Sequence, residues 1–146
     1  MIVLFDSNSY DKLIELSQED LQQIYTKIEK VIIPQAVRRQ LDMMVNIEDK
    51  MEKLYRINQI IFHLDNQNKL IKVEDNFELE LYDNEKKNYF RSLSNKMKNG
   101  DKEIAFTAKQ ENATMITNDS NFVDSLSNIN QKVLSFEDFI NKIADE

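Results

Sequence analysis

Two kinds of apolar pattern alternate along the chain. Short aliphatic runs predict strands buried on both faces of a parallel sheet. Between them, apolar residues recur every three or four positions, as on one face of a helix. The strand-like segments are residues 2–5, 31–33, 70–73, 114–117 and 132–135, of which 70–73 could instead be an extended link. The alternation predicts an α/β fold, with helices flanking a central parallel sheet of about four to five strands.

Apolar and capping residues predict where the first helices begin. Residues 13–16 predict the start of one helix, and residues 17–20 form a capped start for another that reaches Ile28. Pro34 closes the second strand and opens the helix that follows, because proline is tolerated in a first helical turn.

Two long amphipathic helices are predicted in the middle of the chain, at about residues 46–67 and 77–97. Their apolar positions are Ile47, Met51, Leu54, Ile57, Ile61 and Leu64 in the first, and Leu79, Tyr82, Tyr89, Phe90, Leu93 and Met97 in the second. Such stripes usually pack against a core. We therefore predict a helical arm, about residues 46–97, beside the sheet. A surface for self-association or for a protein partner is the alternative.

Composition narrows the class of protein. A chain of 146 residues with 41% apolar content is expected to form one domain, residues 1–146. It has no cysteine, which excludes disulfides, thiolate metal ligands and cysteine nucleophiles. Its single glycine argues against a glycine-rich phosphate loop. The apolar run at the N-terminus is too short for a signal peptide or a membrane span, so we expect a cytoplasmic protein without membrane association.

Charge is unevenly distributed. The net charge of −7 differs from the basic footprint usual for nucleic-acid binding. One stretch is nevertheless basic, and its cations are Lys86, Lys87, Arg91, Lys96, Lys98, Lys102 and Lys109. This stretch has two interpretations, a solvated helix face or a patch that tracks phosphates.

Acidic residues are predicted to meet at one edge of the sheet. Asp6 and Asp119 each follow a predicted strand directly and precede a helix. The helix before the fourth strand runs antiparallel to it, so its first turn, with Asp101 and Glu103, returns to the same edge. Open parallel sheets bind ligands there. The plainer alternative is that the aspartates only cap helices, for which aspartate is well suited.

A cluster of carboxylates suits a hard divalent cation. Carboxylates held together repel and raise one another's pKa unless a cation neutralises them. Mg²⁺ prefers oxygen ligands and retains several waters. Such ions can activate water, stabilise the leaving oxygen of a phosphodiester, and make a negative cleft attractive to phosphate.

Three short motifs at the two ends of the chain share an order and a spacing. They are Asp6-Ser7-Asn8 after the first strand, Gly100-Asp101-Lys102-Glu103, and Thr117-Asn118-Asp119 with Phe122 beyond. Together, over about residues 1–42 and 100–136, they resemble PIN-domain ribonucleases, a family that includes toxins of the VapC type.

The resemblance implies a three-layer PIN-like fold and a metal-dependent endoribonuclease that hydrolyses RNA phosphodiester bonds with Mg²⁺ or Mn²⁺. It implies Asp6, Asp101 and Asp119 as catalytic metal ligands and Glu103 as a further acid of the metal site. Supporting residues would be Asn8, Gln40, Thr117 and Asn118. The implied partners are RNA, an antitoxin or other protein, and a second copy of the chain.

Gln40 departs from the family pattern. PIN domains usually carry a glutamate at this place in the helix after the second strand, whereas glutamine offers a hard cation only a neutral carbonyl. Asp42 is rotated by roughly 200° from Gln40 on the helix and would face away from it. Either the register slips, or Glu103 compensates, or the metal site is weakened. The alternative function is therefore a PIN-like module that binds RNA or protein with weakened or lost catalysis.

Overall fold

A single parallel sheet organises the protein. The computed structural model describes residues 1–43, 48–74 and 84–146. The strands are β1 Ile2–Phe5, β2 Lys30–Pro34, β3 Leu70–Val73, β4 Thr114–Thr117 and β5 Val133–Ser135. They are all parallel and lie in the order β3-β2-β1-β4-β5. The predicted parallel sheet is confirmed, and residues 70–73 are a strand rather than a link.

Helices cover the sheet. Those of the described residues are α1 Ser7–Leu13, α2 Gln18–Lys27, α3 Gln35–Asp42, α4 Glu48–Asn66, α5 Asn84–Ser92, α6 Asn99–Gln110, α7 Ser120–Asn128 and α8 Phe136–Asp145. The predicted cap of α2 is confirmed, because the Ser17 hydroxyl accepts a hydrogen bond from the Asp20 amide. Pro34 is the N-cap of α3, as its position after the second strand predicts.

The start of α1 differs from the prediction. Residues 13–16 were expected to begin a helix, but α1 begins at Ser7 and ends at Leu13. Asp6 caps it by accepting a hydrogen bond from the Ser9 amide. A polar cap therefore starts this helix before its apolar side chains Tyr10 and Leu13 appear in the sequence.

The described part of the middle of the chain packs against the core. The first long helix is α4, whose Ile57, Ile60 and Leu64 are buried in the core. Met51 was expected on that buried stripe but is 55% exposed. Ile47 and residues 77–83 of the predicted second helix lie outside the described part of the chain.

The second predicted helix ends earlier than expected. It was predicted to continue to Met97, but α5 ends at Ser92. The Ser94 hydroxyl accepts a hydrogen bond from the Lys96 amide, and the Met97 amide donates to the Ser94 carbonyl. These local bonds form a turn that competes with the helix. Leu93 and Met97 are buried nonetheless. Their spacing of four residues resembles that of a helix, although both residues lie beyond the end of α5.

The topology delivers three segments to one edge. Phe5 lies opposite Ile116 in the paired strands β1 and β4. The Asp6 amide extends this pairing by donating to the Ile116 carbonyl. The residues that follow β1 and β4 therefore leave the sheet side by side, and α6, which leads into β4, begins at the same edge. Within the described residues, no helix has the length and apolar character needed to cross a membrane.

Candidate active site

Asp6 is held in a buried hydroxyl network at the end of β1. One carboxylate oxygen, Oδ1, accepts hydrogen bonds from the Ser9 amide at 2.8 Å and the Ser9 hydroxyl at 2.7 Å. The other, Oδ2, accepts from the Thr117 hydroxyl at 2.5 Å. A carboxylate offers about four lone-pair positions, so these three bonds leave one on Oδ2. Asp6 is thus rigidly oriented with limited capacity for a further ligand.

Thr117 links Asp6 to Asp119. Its hydroxyl donates to Asp6 and accepts a hydrogen bond from the Asp119 amide at 3.1 Å. Asp119 caps α7 by accepting from the Asn121 amide at 2.9 Å. The capping interpretation is therefore correct for both Asp6 and Asp119. Capping nevertheless leaves their carboxyl groups on one edge of the sheet.

Asp101 shares an electrostatic environment with both aspartates. It lies half-buried in the first turn of α6. Burial raises its pKa, the charges of Asp6 and Asp119 raise it further, and Lys98 partly offsets the rise. Burial also raises the pKa of Asp6, against the hydrogen bonds from Ser9 and Thr117, and the charge of Asp119 adds to the rise. Three carboxyl groups from distant segments thus interact at one edge.

Glu103 has a different partner. Its Oε2 lies 2.7 Å from the Lys86 Nζ in a largely buried ion pair. Glu103 is two residues after Asp101, and this spacing rotates its side chain by roughly 200° around α6. The structure therefore directs Glu103 toward α5 and does not bring it to the aspartates.

Gln40 reaches the start of α6. A Cβ built on Gly100 would lie 3.4 Å from the Gln40 Nε2, so the amide lies over the residue that precedes Asp101. Asp42 is exposed on α3. Gln40 thus lies against the first turn of α6, next to the residue that precedes Asp101.

The predicted supporting residues lie in different environments. Thr117 is buried and bonded to Asp6, whereas Asn8 and Asn118 are exposed. Ser9 was not among the predicted residues, and its hydroxyl also lies 2.9 Å from the Ile116 carbonyl. A hydroxyl three residues after an aspartate N-cap was the available signal, because the amide at that position is the usual partner of the cap.

Some cations of the basic stretch pack against neighbouring residues, and the others are exposed at the surface. Lys86 is buried in its ion pair, the Lys109 Nζ lies 5.1 Å from the Tyr89 ring centroid, and the Lys102 Nζ lies 3.5 Å from the Phe90 carbonyl. Lys87, Arg91, Lys96 and Lys98 are exposed. Neither interpretation holds for the whole stretch, and Lys98 is the cation placed to act on Asp101.

Replacing Tyr10 with phenylalanine should leave the protein as stable or more stable. Tyr10 is fully buried, and its hydroxyl has no hydrogen-bond partner among the described residues. An unpaired buried hydroxyl costs about 1–3 kcal/mol. We expect Tm to rise by up to about 3 °C per kcal/mol recovered, measured by calorimetry. In the matched variant Tyr89→Phe, Tm should fall, because the Tyr89 hydroxyl donates to Gln131. A lower Tm for Tyr10→Phe would contradict the assignment.

The donor set suits a cation that keeps part of its water shell. In the described residues, no three histidine, cysteine, aspartate or glutamate side chains converge into a ready-made metal-binding group. The oxygens of Asp6 and Asp119 are instead engaged by hydroxyl and amide donors. Mg²⁺ commonly takes one or two carboxylates and several waters. Asp6, Asp101 and Asp119 fit that chemistry, while the Glu103 carboxylate is paired with Lys86.

Comparison with known proteins identifies the fold. No protein-family model and no curated protein matches the sequence. A chain of VapBC2 from Rickettsia felis, solved with a promoter DNA fragment, has a TM-score of 0.60 at 20% identity, covering 92% of this chain and 98% of that chain. A domain of a functionally unknown protein from Methanocaldococcus jannaschii has a TM-score of 0.61 at 18% identity, with coverages of 92% and 89%. VapBC-1 from nontypeable Haemophilus influenzae has a TM-score of 0.61 at 14% identity, with coverages of 94% and 99%. These likenesses establish that the chain has the PIN-like α/β fold its motifs imply.

Proposed function

We propose that this protein is a divalent-metal-dependent endoribonuclease whose metal ligands are Asp6, Asp101 and Asp119. One observation carries the proposal: these three aspartates, from the ends of two neighbouring strands and the start of α6, interact electrostatically at the carboxyl edge of the sheet. Helix capping accounts for Asp6 and Asp119. It does not account for Asp101, because the N-cap of α6 is Lys98.

Mutual repulsion supports a cation at this edge. The raised pKa of Asp6 and of Asp101 means that each carboxylate is harder to ionise in the folded protein than in water. A fold that keeps such groups together at neutral pH gains stability when a cation binds between them. Mg²⁺ and Mn²⁺ are the ions whose preference for oxygen ligands matches these residues.

Each residue has a part in the proposed mechanism. A bound divalent cation supplies Lewis acidity for attack by water on a phosphodiester. Asp6, fixed by Ser9 and Thr117, provides a rigid oxygen for binding that ion. Asp119 stands at the exposed rim, where it can orient an attacking water, and Asp101 completes the negative site. Lys98, exposed beside Asp101, is placed to attract an RNA phosphate to the rim.

Two substitutions of Asp119 test the proposal and separate catalysis from capping. Asp119→Ala removes both the charge and the cap, whereas Asp119→Ser removes the charge and retains a capping oxygen. Cleavage of single-stranded RNA is measured with Mn²⁺ or Mg²⁺. We expect both variants to lose activity by about 10²–10³-fold, with a stable fold in the serine variant. Cleavage by the serine variant at the wild-type rate would reject Asp119 as a ligand.

A binding module with weakened catalysis is the second candidate, and Gln40 favours it. Gln40 lies beside the start of α6, where a carboxylate would add a charged ligand. The two functions differ in their response to Mn²⁺, because an ion that binds the folded state at 100 times its Kd stabilises it by about 2.7 kcal/mol. RNA binding without cleavage and without a Mn²⁺-dependent rise in Tm would favour the binding module.

We also propose a protein partner for the exposed face of α4. Met51, Tyr55 and Phe62 are 55%, 65% and 65% exposed and share one side of this helix. The likeness to chains of VapBC complexes supports an antitoxin-like protein, and a second copy of the chain is the other candidate. Analytical ultracentrifugation should show self-association that Tyr55→Glu reduces at least tenfold if the partner is a second copy. A strictly monomeric wild-type protein would eliminate that candidate.

A further inference from the structure

The contact between α5 and α6 is built around a buried lysine. Lys86 is 5% exposed, and its Nζ lies 2.7 Å from the Glu103 Oε2. The same ammonium lies 5.5 Å from the Phe90 ring centroid and 5.6 Å from the Phe106 ring centroid. One carboxylate and two aromatic faces therefore surround the charge. Burying an ammonium is costly unless its partners are well placed, so this arrangement fixes the relative position of the two helices.

A second contact prevents α6 from turning about its axis. The Lys109 Nζ lies 5.1 Å from the Tyr89 ring centroid, and the Tyr89 and Phe106 rings are 5.4 Å apart. Glu103 and Lys109 are six residues apart on α6, which separates the two contacts by about 9 Å along the helix. Two fixed points at this separation define both the rotation and the axial position of α6 against α5.

The first turn of α6 needs an external anchor. Asp6 and Asp119 cap α1 and α7 with their side chains, whereas Lys98, the N-cap of α6, makes no side-chain capping bond. Asp101 belongs to this uncapped turn, and Glu103 lies at the start of the turn that follows it. The ion pair of Glu103 with Lys86 ties this end of α6 to α5, where the Lys102 Nζ also lies 3.5 Å from the Phe90 carbonyl.

We propose that Lys86 is a positioning residue: by holding Glu103, it fixes the first turn of α6 and with it the position of Asp101 at the acidic edge. The effect of Lys86 on α6 is independent of the proposed function. Its effect on Mn²⁺ binding rests on the proposed function, because Asp101 is a metal ligand only in that proposal. Its effect is transmitted through the helix, because Lys86 contacts Glu103 and the aromatic rings, and Lys98 is the cation that acts on Asp101.

Two measurements on Lys86→Met and Lys86→Arg test the proposal. Hydrogen exchange at the amides of Lys102, Glu103 and Ile104 reports the order of the turn without reference to activity. We expect exchange about tenfold faster in Lys86→Met and near wild type in Lys86→Arg, which retains a charge able to pair and stack. Mn²⁺ affinity, measured by titrating Tm, should fall about 10–100-fold in the methionine variant and recover in the arginine variant.

Lys109→Met is the matched control. It removes the lysine at the opposite end of the contact between α5 and α6, far from Asp101, and should leave Mn²⁺ affinity within about twofold of wild type. If Lys86→Met does not fold, the double variant Lys86→Met/Glu103→Met replaces it, because that protein does not leave the Glu103 carboxylate without its lysine. The same changes in hydrogen exchange and Mn²⁺ affinity are expected of it.

The outcomes separate this proposal from the proposed function. Unchanged exchange in the first turn of Lys86→Met, or faster exchange with unchanged Mn²⁺ affinity, overturns the positioning role. A wild-type protein whose Tm does not respond to Mn²⁺ overturns the metal-dependent nuclease instead. Hydrogen exchange then decides alone whether Lys86 holds the first turn of α6.

Discussion

Replacing Asp101 with asparagine should abolish RNA cleavage while making the metal-free protein more stable. Asparagine keeps the shape of the side chain but removes the charge that Asp6 and Asp119 repel. Losing one ligand of the proposed site should reduce the cleavage rate on the order of 10³-fold. Removing a carboxylate whose pKa is raised by burial should increase Tm at neutral pH. Activity and stability are thus expected to move in opposite directions.

The gain in stability should depend on pH. Because the pKa of Asp101 is raised above its ordinary value of 3.8 in the folded protein, the folded state holds the proton more tightly than the unfolded state. The stability from this group is present below the ordinary value and is lost as pH rises through the raised value. Asparagine mimics the protonated form, so the difference in Tm between variant and wild type should grow from low pH to pH 7.

A control on α7 separates the site from general charge effects. Asp124 is exposed, and Asp124→Asn removes the same charge from the surface. It should retain wild-type cleavage and change Tm little. If Asp101→Asn cleaved RNA as fast as Asp124→Asn, Asp101 would not belong to the catalytic site.

The strands could be predicted because short, continuous runs of apolar or β-branched residues are typical of buried parallel strands. Ile2–Phe5 and Thr114–Thr117 are continuous short apolar or β-branched runs, and both form strands with the predicted bounds. The helix after Asp6 was expected from its capping residue and is confirmed. The helix start predicted at residues 13–16 was wrong, because Ser7–Ser9 shows no apolar periodicity. The end of α5 was placed too late, because Leu93 and Met97 have helical spacing. Both are buried, but they lie in a turn that follows the helix.

At the candidate site, the positions of residues along the fold could be predicted, whereas their side-chain contacts could not. The shared edge of Asp6, Asp101 and Asp119 was expected from the parallel sheet and the direction of α6, which the alternation of strands and helices predicts. That β1 and β4 are neighbours is known only from the structure. The role of Ser9 and the pairing of Glu103 with Lys86 depend on side-chain contacts across the fold. Glu103 looked like a member of the acidic cluster because it is near Asp101 in sequence. Helix geometry places it on another face.

Changing Gln40 to glutamate should strengthen metal binding and increase cleavage. The Gln40 amide lies close enough to the start of α6 that a Cβ on Gly100 would be 3.4 Å from its Nε2. A carboxylate there would add a fourth negative charge beside Asp6, Asp101 and Asp119. Without metal, the added repulsion should lower Tm. With Mn²⁺, the additional charged ligand should raise affinity by about 10-fold or more.

The decisive observation is that Gln40→Glu should lower Tm in the absence of Mn²⁺ but stabilise the protein in its presence. Gln23→Glu, at an exposed position on α2, adds the same charge elsewhere and should show no such reversal. A Gln40→Glu protein that is destabilised equally with and without Mn²⁺ would mean that this edge does not bind the cation. A variant that binds Mn²⁺ more tightly and cleaves RNA faster than wild type would show that Gln40 limits catalysis in an otherwise complete site, because the only change is a neutral amide replaced by a carboxylate.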